Sequence, residues 1–148
     1  MEIALDREFA GKITATLAAQ HTLYAQLRDL AKQQSEFVAT GQSEALMTVL
    51  AARQRLIERL APLDKELQPY KGRWQEIIDG LEEPARGTVS KLLMDVQQLL
   101  AQILERDDAD KQSLIRQKTE VGLKIQGAIA GRQLNKAYGM RPSAAMSG

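Results

Sequence analysis

Apolar side chains recur in steps of three and four through the first forty positions: Phe9, Ile13, Leu17, Leu23, Tyr24, Leu27, Leu30, Ala31, Phe37 and Val38. That spacing keeps one face of an α-helix apolar, whereas strand alternation would need steps of two. From Asp6 to Val38 there is no Pro, and Gly11 is the only Gly. The spacing therefore predicts one helix, roughly 50 Å long at 1.5 Å per residue. Thr40-Gly41-Gln42-Ser43 ends it. Gly41 suits a left-handed position just past a helix, and Ser43 suits the N-cap of the next one. A connection of about three residues makes the two helices antiparallel neighbours.

The second stripe runs through Leu46, Val49, Leu50, Arg53, Leu56, Ile57, Leu60, Leu63 and Leu67, with Pro62 inside it. A proline there lacks its N–H and clashes with the preceding turn, so the helix is expected to kink or lose its regularity at that point. Residues 69–84 carry Pro69, Gly72, Gly80 and Pro84 among the apolar anchors Tyr70, Trp74, Ile77, Ile78 and Leu81. They read as a connector with a short helix packed across the bundle end.

Pro84 fits the first turn of a third long helix, with Glu82 and Glu83 at its positive end. Its seam is Val89, Leu92, Leu93, Val96, Leu99, Leu100, Ile103 and Leu104, continuing through Asp107, Asp110, Leu114, Val121, Ile125 and Ala128. Two aspartates thus fall where a core is expected, and left unpaired they would loosen the packing. Gly122, Gly127 and Gly131 each cost about 1 kcal/mol of helix preference relative to Ala. The expected fold is all-α: an elongated antiparallel bundle of three long, coiled-coil-like helices with a short connecting helix. Residues 1–138 form one helical domain, and the small, polar stretch 139–148 reads as a disordered tail. The third helix outlasts the second by ~20 residues, so the C-terminal third, about 111–138, is the part least covered by its own chain.

Composition narrows the chemistry. A length of 148 residues suits one domain. With no Cys and a single His, His21, there is no disulfide framework, thiolate nucleophile or multi-His metal site. Six aromatics make no broad base-stacking platform. The first residues begin acidic and reach no apolar run, unlike a secretory signal, and no stretch of eighteen apolar residues occurs. A cytoplasmic protein without membrane insertion is expected.

Charge is distributed unevenly. Residues 1–110 hold 13 Lys and Arg against 18 Asp and Glu, a net of −5, while residues 111–148 hold seven against Glu120 alone, a net of +6. The basic end could meet phosphates in a salt-dependent way, but the acidic body repels a duplex, so nucleic acid is not the expected partner. Asp107-Asp108-Ala109-Asp110 is no calcium loop. Counted from Asp108, its sixth and twelfth positions are Ser113 and Thr119, where Gly and Glu are needed. His21 sits beside Gln20 with no Ser, Asp or Tyr constellation to make it a base. No enzyme activity, cofactor or metal is expected.

Leu114, Ile115, Val121, Leu123, Ile125, Ile129 and Leu134 are the more informative feature. They are either a strip that another polypeptide covers, or one that the first helix, running parallel, already shields. A structural coiled-coil module that buries the strip in a homo-oligomer, and a nucleic-acid adaptor, are the alternative functions.

The layout resembles the FlgN family of flagellar type III export chaperones over most of the chain. Carrying the resemblance are Leu30-Ala31-Lys32-Gln33-Gln34-Ser35 at the end of the long first helix, then Thr40-Gly41-Gln42-Ser43-Glu44-Ala45-Leu46. Ala52-Arg53-Gln54-Arg55-Leu56-Ile57, the long last helix and the late Tyr138-Gly139 pair also match. Where family members carry a pattern like Asn-x-x-Leu-Leu, this chain reads Asp110-Lys111-Gln112-Ser113-Leu114-Ile115, polar then Leu without the Asn. The resemblance implies a small cytoplasmic helical chaperone for hook-associated proteins, one that binds a subunit's terminal helix, prevents early assembly and presents the subunit to the export gate or export ATPase complex. On that reading Leu114, Val121, Ile125, Ile129 and Leu134 bind the subunit, and Tyr138 docks at the gate.

Overall fold

Four α-helices and one 3-10 turn make up the chain over residues 4–120, the part that this computed structural model describes, with the last two residues given by backbone alone. Helix α1 spans Arg7–Thr40, α2 Ser43–Leu67, α3 Trp74–Gly80 and α4 Ala85–Glu120; the 3-10 turn is Gln68–Tyr70. No strand occurs among the described residues. The all-α reading holds, and the short helix lies between the second and third long ones, where the connector's anchors placed it.

The helix ends follow local chemistry. Asp6 caps α1: its Oδ1 accepts the N–H of Phe9 at 2.9 Å and its carbonyl that of Ala10. At the other end Gly41 takes φ +69°. Its N–H donates to the Val38 carbonyl and that of Gln42 to the Phe37 carbonyl, the paired bonds of a Schellman stop. The carbonyl of Gln42 accepts from Leu46 N–H, so α2 begins one residue earlier than a Ser43 cap would place it. Nor does Pro62 end α2, which remains helical to Leu67. Pro84 stands just ahead of α4, its carbonyl accepting from Thr88 N–H, while Glu83 Oε2 accepts from Gly87 N–H at 3.3 Å. The Glu83–Pro84 peptide is cis.

The chain divides into two compact units, Met1–Asp29 with Arg53–Ile103, and Leu30–Ala52 with Leu104–Gly148. The three long helices each supply residues to both.

In the first unit Ile13 and Leu17 of α1, Leu67 of α2, Ile77 of α3, Leu81 and Val89 form one buried cluster. Leu17, Ile77 and Val89 are wholly enclosed. Each such side chain contributes about 1.5–3 kcal/mol relative to exposure. Phe9, Tyr70 and Trp74 close its edge through two T-shaped contacts, with ring centroids 5.4 and 6.0 Å apart. Gly72 supplies the positive φ, +81°, that turns the chain into α3. There Arg73 grips Glu76 through two hydrogen bonds of 3.0 and 3.2 Å, and its guanidinium holds the Glu76 carboxyl below its ordinary range.

In the second unit Val38, Leu46 and Leu50 form a smaller cluster, flanked by Phe37 and Leu114. Two stripe positions read from the sequence face water instead, one in each unit: Ile57 of the first is 45% exposed and Leu104 of the second is 65% exposed. Each follows a residue that is buried, Leu56 and Ile103. Neighbours on a helix stand about 100° apart, so one of each pair wins the inward direction.

Candidate partner-binding surfaces

Of the residues assigned to subunit binding, Leu114 is the one the described structure reaches. It is half-buried on α4 and packs on Val38, Leu46 and Leu50. Its neighbour Ile115 is 38% exposed. One turn of α4 later, Gln117 Nε2 donates to the Val38 carbonyl at 3.1 Å, helping satisfy one of the last carbonyls of α1. Val121, Ile125, Ile129 and Leu134, the gate-docking residue Tyr138 and the tail 139–148 lie outside the described residues.

Asp110 takes the seam position its spacing assigned, with 5% exposure. It is not an unpaired carboxylate. Gln34 Nε2, on a side chain that is wholly enclosed, donates to its Oδ2 at 3.0 Å. A buried polar atom with a charge-assisted partner does not carry the full desolvation cost that an orphan would. On α2 the seam also buries Arg53, at 6% exposure. Asp107–Asp110 are part of continuous α4, and no group of three or more His, Cys, Asp or Glu that could hold a metal is found among the described residues.

His21 points to the surface of the first unit. Its Nε2 lies 4.0 Å from Asp95 Oδ2, beyond hydrogen-bond reach. Next to it, Gln20 Nε2 donates to Asp64 Oδ1 at 2.8 Å. Burial, and secondarily the charge of Asp64, push the Tyr24 hydroxyl above its ordinary value of 10.0. Both influences favour the neutral phenol, which makes Tyr24 a packed side chain and a poor proton donor.

The structure also contains a feature that the sequence reading missed, an open groove of 880 Å³ in the first unit. One wall is the start of α1, with Ala10, Gly11, Thr14, Ala15 and Ala18; the other is the entry to α4, from Leu81 to Ala85 with Thr88. Arg86 Nε donates to the Leu81 carbonyl at 2.8 Å and braces this second wall. Leu5 lines the groove and also packs directly over Gly80, where a side chain would collide with it. Asp6, Glu82 and Glu83 give its rim more negative charge than Arg7 offsets. The signal was present in the sequence: small residues at 11, 15 and 18 share a helix face. Only the opposing wall turns that face into a concavity.

Among the described residues no helix is long and apolar enough to cross a membrane. No family model, curated protein or solved structure matches the chain.

Proposed function

We propose that the chain is a non-enzymatic flagellar export chaperone of the FlgN kind, resident in the cytoplasm. It holds the helical terminal segment of a hook-associated subunit, keeps that subunit from assembling early, and delivers it to the type III export gate. The finer architecture belongs to the same proposal: three long helices side by side, with α2 antiparallel to α1 and α4. Pairings between Gln20 and Asp64, Gln34 and Asp110, and Val38 and Gln117 support it.

The observation that carries the functional reading is where α1 stops. Gln117 of α4 bonds to Val38, and α1 ends two residues further on, at Thr40. Val121, Ile125, Ile129 and Leu134 follow Gln117 in the sequence, beyond the position at which α4 pairs with the last turn of α1. A subunit segment that is disordered when free folds against these positions as an amphipathic helix. Tyr138 then serves docking at the gate.

The test uses the full chain and an immobilised hook-associated subunit. Ile125→Asp is expected to weaken capture at least about tenfold, roughly 1.4 kcal/mol, with the circular dichroism spectrum unchanged. Undiminished capture removes the assigned surface. Tyr138→Ala should spare subunit capture and weaken binding to the gate; equal loss of both refutes the division of roles. A stable dimer indifferent to every subunit would instead favour a self-associating structural coiled coil.

A further inference from the structure

Two features are not used by the chaperone reading: the acid-rimmed groove of the first unit and the positive charge of the chain's end. We propose that the groove receives the basic C-terminal segment, residues 121–141, of a second copy of this protein.

Size, shape and charge converge on that occupant. Ala10, Gly11, Thr14, Ala15 and Ala18 leave the groove's α1 wall almost without side chains, and a Cβ added at Gly11 would meet nothing within 4 Å. Such a wall admits the backbone of a helix closely, since interaxial distance is set by the side chains at the contact. The segment has the matching character. Gly122, Gly127, Ala128, Ala130 and Gly131 concentrate small residues in one stretch, and Gly127 and Gly131 share a face when the segment winds into a helix.

Charge selects the direction. After Glu120 the chain carries Lys124, Arg132, Lys136 and Arg141 and no Asp or Glu. The groove rim offers Asp6, Glu82 and Glu83. Backbone bonds to Phe9 and Gly87 hold the carboxylates of Asp6 and Glu83 at that rim without neutralising them. Two copies that exchange basic ends satisfy both grooves at once, and the exchange closes on a two-fold axis without leaving a sticky end. The inference does not depend on the flagellar reading, because its test needs the protein alone.

The test measures solution mass by light scattering, on full-length protein, across a concentration and salt series. The wild type is expected at twice the protomer mass, with affinity falling about tenfold or more as salt is raised. Gly11→Trp, which fills the groove, should give a monomer of undiminished helicity. Reversal of the rim (Glu82→Lys with Glu83→Lys) and reversal of the segment (Lys124→Glu, Arg132→Glu, Lys136→Glu) should each give monomers. An equimolar mixture of these two reversed proteins should recover the dimer, because each then presents the charge the other lacks. The proposal is overturned by a monomeric wild type, by a dimer that survives Gly11→Trp, or by a mixture that remains monomeric. A monomer whose segment crosslinks to its own groove would name the chain itself as occupant and equally overturn a second copy.

Discussion

The two units draw on the same three long helices and close their interiors in different ways. In the first, Ile13, Leu17, Leu67, Ile77, Leu81 and Val89 meet in an apolar cluster to which α3 contributes, and aromatic rings finish its edge. In the second, three buried aliphatics, Val38, Leu46 and Leu50, form the cluster, and the seam carries Gln34 hydrogen-bonded to Asp110. Apolar contacts are non-directional and tolerate small displacements, whereas a hydrogen bond between enclosed groups is satisfied in one alignment only. The first unit therefore gains stability from burial. In the second, the enclosed Gln34–Asp110 bond adds a directional contact that defines the register of α4 on α1, near the point where the proposed subunit surface begins.

That contrast can be broken. The largest effect is expected from Leu17→Ala, which empties a wholly enclosed site in the first unit and should cost about 3–4 kcal/mol. Leu46→Ala in the smaller cluster should cost less, about 2 kcal/mol, because its surroundings collapse more readily. Chemical denaturation of both variants checks this, and equal losses would erase the distinction.

A smaller effect sharpens the role of the polar pair. Asp110→Ala strips the Gln34 amide of its carboxylate acceptor and should destabilise by about 2 kcal/mol. Replacing both groups (Gln34→Leu with Asp110→Leu) should return stability close to that of the wild type, since neither polar group is then left buried. Additive losses in this cycle would show that the pair is not one energetic unit.

The smallest effect is one of pH. The Tyr24 hydroxyl titrates higher in the folded chain than its ordinary 10.0, chiefly through burial and then through Asp64. The unfolded chain therefore loses this proton first. The contribution is complete below pH 10 and is lost as the pH climbs through the folded value. Tyr24→Phe should flatten that part of the alkaline unfolding profile; an unaltered slope would place the pH dependence elsewhere.

Much of this was legible in advance, and the gaps have physical causes. The helices and the Gly41 stop were readable because a period of 3.6 and a left-handed glycine are local properties. Asp110 could be placed on the seam by spacing, but its partner stands 76 residues away in sequence, and nothing local names Gln34. Ile57 and Leu104 look like core positions in a linear stripe and are exposed, because the stripe is wider than the neighbours it packs on. His21 has no partner in its sequence surroundings, and its approach to Asp95 appears only in three dimensions.

The sequence by itself determined an all-helical chain, the places where it turns, and a separation of charge between an acidic body and a basic end. Each follows from interactions within a few residues or from simple composition. Tertiary structure alone decided that Leu56 and Ile103 are buried while Ile57 and Leu104 are exposed, that Asp110 has an enclosed partner, and that a plain row of small residues on α1 becomes one wall of a groove. Those outcomes depend on what the opposite helix presents, and spacing along one chain carries no record of that.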